Sequence, residues 1–166
     1  MQRDDQVELT ILQMVAGGDG MARHDGRIVF VPYVLPGERV RAKITKVQRH
    51  WARAALVEVL VPSDERVTPR CAHFGPEGCG GCQWQHVSYE AQRRFKTEIV
   101  REQFQRIAKI GDPPVRPIIG MDDPWHYRNK AQVPVGVENG RLLAGFYALG
   151  SHRIIDMDAC LIQDEH

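Results

Sequence analysis

Arg39-Val40-Arg41-Ala42-Lys43-Ile44, introduced by the turn Pro36-Gly37, alternates charge and hydrocarbon without a break. Successive side chains of a strand point to opposite faces, so Val40, Ala42 and Ile44 turn toward a core while Arg39, Arg41 and Lys43 share the other face. The same period recurs on both sides of this stretch. Val7, Leu9 and Ile11 alternate with Glu8 and Thr10, and Asp25-Gly26 is a hairpin turn leading into Ile28-Val29-Phe30-Val31. A last strand covers about Ala54 to Val61, where Pro62 ends it. Five short strands within residues 1–62 have the size and rhythm of an OB-like barrel, so the chain is expected to be mainly β with α.

The charge of that region is concentrated. Arg39, Arg41, Lys43, Lys46, Arg49 and Arg53 fall within fifteen residues, with Glu38 the acid nearest to oppose them. A basic face on a small barrel, with Trp51 beside it and Phe30 available to stack on a base, suits single-stranded nucleic acid. The same alternation is also how any antiparallel strand keeps one face in water. Globally the chain says nothing about partners, since 22 basic residues stand against 21 acidic ones. Met1-Gln2-Arg3-Asp4-Asp5 is no apolar signal region, and no run approaches the ~20 apolar residues of a membrane helix, so a cytoplasmic protein without membrane contact or obligate protein partner is expected.

Residues 63–166 carry all four cysteines, three of them in Cys71-x7-Cys79-Gly80-Gly81-Cys82 and the fourth at Cys160. Four thiolates saturate one metal centre. The glycine pair is read as letting the backbone wrap through positive φ, as a loop around a bulky iron–sulfur core requires. Structural zinc usually takes two short knuckles, and here only Cys79 and Cys82 form one, although His73 or His86 could complete a Cys3His site. Two disulfides would demand an oxidising compartment, and unrelated buried cysteines are the remaining alternative.

One long helix is expected over about 88–110. Ser88 is its N-cap, Glu90 sits in the first turn, and Gly111-Asp112-Pro113-Pro114 stops it. Phe95, Ile99, Val100, Phe104 and Ile107 recur at helical spacing as its buried stripe, while Arg93, Arg94, Lys96, Arg101 and Arg106 decorate other faces. Hairpins follow over 115–156: Ala131, Val133 and Val135 alternate, Asn139-Gly140 turns, Leu142 to Tyr147 returns, and Gly150-Ser151-His152 turns again before Ile154-Ile155. This brings Cys160 back toward the other cysteines, and a metal closing so long a loop would tie helix and hairpins into one unit.

These segments together carry a resemblance. Gly18-x-Gly20-Met21-Ala22-Arg23, Phe30-Val31-Pro32 and Leu35-Pro36-Gly37-Glu38 resemble a TRAM domain, an OB-like RNA-binding module. Cys79-Gly80-Gly81-Cys82-Gln83-Trp84-Gln85-His86 resembles the cluster-binding segment of RNA uracil-C5 methyltransferases, which make 5-methyluridine with S-adenosylmethionine. Tyr127-Arg128-Asn129-Lys130, Gly145-Phe146-Tyr147 and Ser151-His152 through Asp156 and Asp158 to Cys160 are similar to the segment that follows it, so the resemblance covers essentially the whole chain.

The resemblance implies a 4Fe-4S cluster on Cys71, Cys79, Cys82 and Cys160, and RNA contacts at Phe30, Arg39, Arg41, Lys43, Lys46, Arg49, Trp51, Arg53, Arg128 and Lys130. It favours 23S ribosomal over transfer RNA, because the transfer-RNA enzymes of the group generally lack TRAM domain and cluster. It also implies covalent chemistry in a Rossmann-like C-terminal domain: a thiolate adds to C6 of uracil, C5 takes the methyl group, and a base removes the C5 proton. No Gly-x-Gly-x-x-Gly occurs here and every cysteine matches a cluster position. The chain is therefore expected to be an N-terminal part of such an enzyme, with residues 63–166 opening its central domain, inactive alone and holding S-adenosylmethionine only in the missing domain. A stand-alone zinc-bearing RNA module and an iron–sulfur redox protein are the alternatives.

Overall fold

A computed structural model describes residues 1–164. Its contacts group the chain into two compact units, Met1–Val67 with His86–Ile119 and Thr68–Gln85 with Gly120 onward.

The first unit is built on a six-stranded sheet whose order is β1-β5-β6-β4-β3-β2. Its strands are β1 (Gln6–Thr10), β2 (Gln13–Met14), β3 (Gly20–His24), β4 (Arg27–Val31), β5 (Arg39–Val47) and β6 (Trp51–Val61). The expected five strands are present, and β2 is a two-residue addition whose length leaves no alternation to read. All pairings are antiparallel except β4 with β6, where Ile28 lies opposite Trp51 and Phe30 opposite Arg53. Inward residues of every long strand meet in one core of Leu9, Ile11, Ala22, Val29, Val31, Val34, Val40, Ala42, Ile44, Ala52 and Ala54. The alternation of β5 thus works as its sequence indicates: Val40, Ala42 and Ile44 are fully buried.

The chain does not divide at residue 62. Arg66 and Val87 form an antiparallel bridge, the Val67 N–H donates to the His86 carbonyl at 3.0 Å, and the Ser88 N–H donates to the Glu65 carbonyl at 2.9 Å. These bonds hold helix α1 (Tyr89–Arg106) in the sheet's unit and leave residues 68–85 as an excursion into the other.

Ser88 caps α1, its hydroxyl accepting the Ala91 N–H at 3.4 Å, and Glu90 sits where the positive end of the helix dipole favours it. The helix stops at Arg106, about a turn before Gly111, and Lys109 has already left helical geometry at φ +59°. The expected apolar stripe is buried only at its start. Ala91 and Phe95 are enclosed and Ile99 is half-buried, whereas Val100, Phe104 and Ile107 are exposed; further along, Glu102 is held by Gln13 of β2 at 3.0 Å.

The second unit contains the sheet β7 (Val135–Glu138), β8 (Arg141–Tyr147) and β9 (Ile154–Asp156), antiparallel throughout. Asn139 and Gly140 both take positive φ, 51° and 78°, as a tight primed hairpin turn requires. The alternation at Ala131 and Val133 forms no strand, and pairing starts at Val135.

Candidate functional site

The cysteines come together through the hairpin. Between Cys71 and Cys79 the chain reverses: the Phe74 N–H donates to the Cys71 carbonyl at 3.2 Å and the Cys79 N–H to the His73 carbonyl at 2.7 Å. Cys79 then bridges to Ala148, and the Gly80 N–H donates to the Tyr147 carbonyl at 2.9 Å, which fixes the loop to the end of β8. A Cβ at position 80 would lie 2.9 Å from the backbone of Leu149, so glycine is required there by close approach. Neither Gly80 nor Gly81 takes positive φ, which corrects the reason expected for the pair. Downstream, the His126 and Arg128 N–H groups donate to the Leu161 and Ile162 carbonyls at 3.0 and 2.8 Å, and so hold the segment carrying Cys160.

Cys71, Cys79, Cys82 and Cys160 are free thiols that line one cavity, walled by Phe74, Phe146, Met157 and Ile162 and also lined by Gln85 and Arg128. Burial pushes the Cys79 and Cys82 thiols up, and the neighbouring cysteines push the same way. The Gly81 N–H, 3.3 Å from the Cys79 sulfur, opposes this at Cys79; a hydrogen bond from Gln85 and the charge of Arg128 oppose it at Cys82. Among the described residues no group of three or more His, Cys, Asp or Glu is disposed to hold a metal ion. A tetrahedral zinc with Zn–S bonds near 2.3 Å needs sulfurs about 3.8 Å apart. The thiols therefore surround a common space without converging on a single-ion centre.

Neither histidine considered as a zinc ligand serves. His86 is buried in the first unit, its Nε2 3.4 Å from the Val34 carbonyl and its ring edge-on to Tyr33. His73 does not line the cavity of the cysteines.

The ten residues assigned to RNA fall into three groups. Arg41 is engaged by Glu58 at 2.6 Å and Glu8 at 3.6 Å, and Lys43 by Asp4 at 2.8 Å, with Arg39 exposed beside them. The hydrogen bond and charge of Lys43 hold the Asp4 carboxyl below its usual range. The acids that neutralise this row sit on β1, on β6 and ahead of β1, so proximity in sequence hid them. The expected opponent, Glu38, is instead fully buried with Arg66, their closest approach 2.6 Å.

The second group is a sheet face. Phe30 and Trp51 meet edge to face, 6.4 Å between ring centroids, and Lys46 lies 5.6 Å over the Trp51 ring. Cross-strand register sets Met21, Phe30, Arg53 and Lys46 in one row and Arg23, Ile28 and Trp51 in the next. Met21, Arg23 and Ile28 were missed; counting outward from the Asp25-Gly26 turn would have paired them with residues already suspected. Arg53 reaches Asp19 at 3.1 Å, where burial raises the carboxyl and Arg53 opposes that rise. Arg49 is exposed in the β5–β6 turn. Arg128 and Lys130 form the third group, exposed in the second unit.

Residues 5–57, the span of this sheet, match the TRAM domain family. They are a TRAM domain. Over 99% of its length the chain is 48% identical to an uncharacterized RNA methyltransferase of Halalkalibacterium halodurans, covering 36% of that relative. It is 46% identical to one of Listeria innocua, again over 99% of this chain and 36% of the relative. A third, from Staphylococcus aureus, is 43% identical over 93% of this chain and 34% of its own length. The chain thus spans about a third of the relatives it matches. Among solved structures, the Pyrococcus abyssi tRNA (uracil-54, C5)-methyltransferase in complex with S-adenosyl-L-homocysteine shares the fold at a TM-score of 0.57 and 21% identity, over 95% of this chain and 33% of that one. The likeness extends past the TRAM domain into the cysteine unit.

Proposed function

We propose that this chain is the RNA-binding and iron–sulfur-binding part of a cytoplasmic, S-adenosylmethionine-dependent RNA (uracil-C5) methyltransferase. The observation that carries the RNA half is the outer face of the TRAM sheet, where Phe30 and Trp51 lie beside Arg53 and Lys46. Aromatic faces stack on unpaired bases of any sequence, and the flanking cations meet phosphates. Arg41 and Lys43, already neutralised, are secondary. A salt titration on one single-stranded RNA tests this. Lys46→Ala with Arg49→Ala flattens the slope by about 0.7 log unit per lost contact, Arg41→Ala with Lys43→Ala changes it little, and Trp51→Ala costs about 1–3 kcal/mol with little salt dependence. Loss confined to the Arg41–Lys43 variant refutes the assignment.

The cysteine half is supported by four thiols around one apolar-walled cavity, two of them, Cys79 and Cys82, raised by burial and by the neighbouring cysteines, a cost that a cationic iron core would relieve. When bound, the 4Fe-4S cluster supplies a covalent tie between residues 71–82 and Cys160, together with a one-electron redox centre. Anaerobically purified protein then holds close to four irons per chain, lost on Cys160→Ser as on Cys82→Ser. Colourless protein with stoichiometric zinc refutes the cluster. We take 23S ribosomal RNA as the target, as the sequence resemblance favours. The structural neighbour that acts on transfer RNA covers nearly the whole chain, so its class competes directly, and binding to 23S fragments against transfer RNA decides.

A further inference from the structure

Arg53 differs from Lys46, the other cation beside the aromatic rings. Lys46 lies over the Trp51 ring at 5.6 Å, whereas Arg53 Nη1 donates to the Asp19 carboxylate at 3.1 Å. Asp19 is a fixed anchor. Its carbonyl accepts the Val15 N–H at 2.9 Å and the Gly18 N–H donates to the Val15 carbonyl at 3.1 Å, in a turn where Gly17 and Gly18 take φ +98° and +96°. Its side chain is only 18% exposed, against 57% for Arg53. Asp19 immediately precedes β3, and β4 stands between β3 and β6 in the sheet. With strands about 4.8 Å apart, the Arg53 side chain must cross β4 to reach it. Val29 and Ala52, paired with each other, are fully buried, so Phe30, Trp51 and Arg53 face outward. Met21, Phe30 and Arg53 share a row; Ile28 and Trp51 lie in the row on one side of it, and Asp19 comes before Met21 on the other side. The outer face thus carries an indole, a phenyl ring and a guanidinium in succession, the last drawn across β4 by a shielded carboxylate.

We propose that Arg53 is a base-stacking residue of this face rather than a phosphate contact, and that Asp19 is the positioning residue that holds it across β4. This rests on the RNA reading above. A cation already paired with a carboxylate has little charge left to neutralise a phosphate, and the carboxylate repels a phosphate that approaches it. The plane of the guanidinium stays available, and unpaired bases stack on such planes as they do on aromatic rings. The occupant is the base of an unpaired nucleotide next to the one on Phe30.

The experiment measures affinity for one single-stranded RNA across a salt series, with wild type, Arg53→Lys, Asp19→Asn and Trp51→Ala. Lysine keeps the charge and loses the plane. Arg53→Lys is therefore expected to bind about tenfold more weakly at every salt concentration, with an unchanged slope. Asparagine keeps the shape and frees the charge of Arg53. Asp19→Asn is expected to steepen the slope by about 0.7 log unit and to bind more weakly than wild type at high salt, where the released cation is screened. Wild-type affinity in Arg53→Lys makes Arg53 an ordinary phosphate contact and overturns the proposal, as does Asp19→Asn with wild-type affinity and slope. A wild type without affinity for the RNA, or binding unchanged by Trp51→Ala, overturns the RNA reading of this face, and this inference with it.

Discussion

Glu38 is fully buried, and its carboxylate accepts from the Leu35 N–H at 2.8 Å, the Ser63 N–H at 3.2 Å, and Arg66 Nε and Nη2 at 2.6 and 2.8 Å. Removing one partner of such a pair leaves the other charge stranded, so Arg66→Met is expected to cost about 3–5 kcal/mol in urea denaturation. Glu38→Gln added to it should recover part of the loss, since the stranded charge is gone. His86 sits against the same network. Burial first, and then the charge of Arg66, lower its pKa to about 4, while the Val34 carbonyl and Glu38 oppose. The folded ring stays neutral where the unfolded ring, near 6.5, takes a proton. Stability should therefore be level above pH 6.5 and fall on acidification toward pH 4, by on the order of 3 kcal/mol, as denaturation midpoints across that range would record. Little of this was legible in the sequence. Glu38 read as the neighbour of a basic strand and His86 as a spare ligand, because burial is set by a partner 28 positions away for Glu38 and 52 for His86.

The elements were more readable than their surroundings. The period of β5 named its core residues, Ser88 named the start of α1, and Asn139-Gly140 named its turn, because each is a local preference of backbone or side-chain geometry. What escaped is which helical face finds a partner. Phe95 has 5% of its surface exposed and Phe104 has 44%, though both fit the same periodic stripe. Phe95→Ala is expected to cost about 3–5 kcal/mol, as large core truncations do. Phe104→Ala and Ile107→Ala should each stay within about 1 kcal/mol, since exposed sites lose little. Thermal or urea unfolding of the three variants measures the contrast; equal losses would mean that the stripe is buried along its length.

At the scale of the molecule, the division into units is the feature least visible in sequence. The chain leaves the TRAM unit after Val67, returns at His86 and leaves again after Ile119, so each unit is made of two separate stretches. No periodicity signals such a return; the Arg66–Val87 bridge creates it. No glycine-rich cofactor loop lies in either unit, and all four cysteines line the one cavity. Calorimetry of the purified chain with S-adenosylmethionine is accordingly expected to show no micromolar binding, and heat of binding in that range would mean that a cofactor site lies within these residues. The order in which the two stretches emerge during synthesis has a further consequence. Every strand of the TRAM sheet precedes Ser63, so that sheet is complete before the first cysteine leaves the ribosome. Cys71, Cys79 and Cys82 then wait for Cys160, on the order of ten seconds at roughly 5–20 residues per second. Metal loading on the proposed ligands thus waits for Cys160, and oxidants would strike nascent chains in that interval, with three thiols uncovered, before they strike chains in which the fourth has joined them.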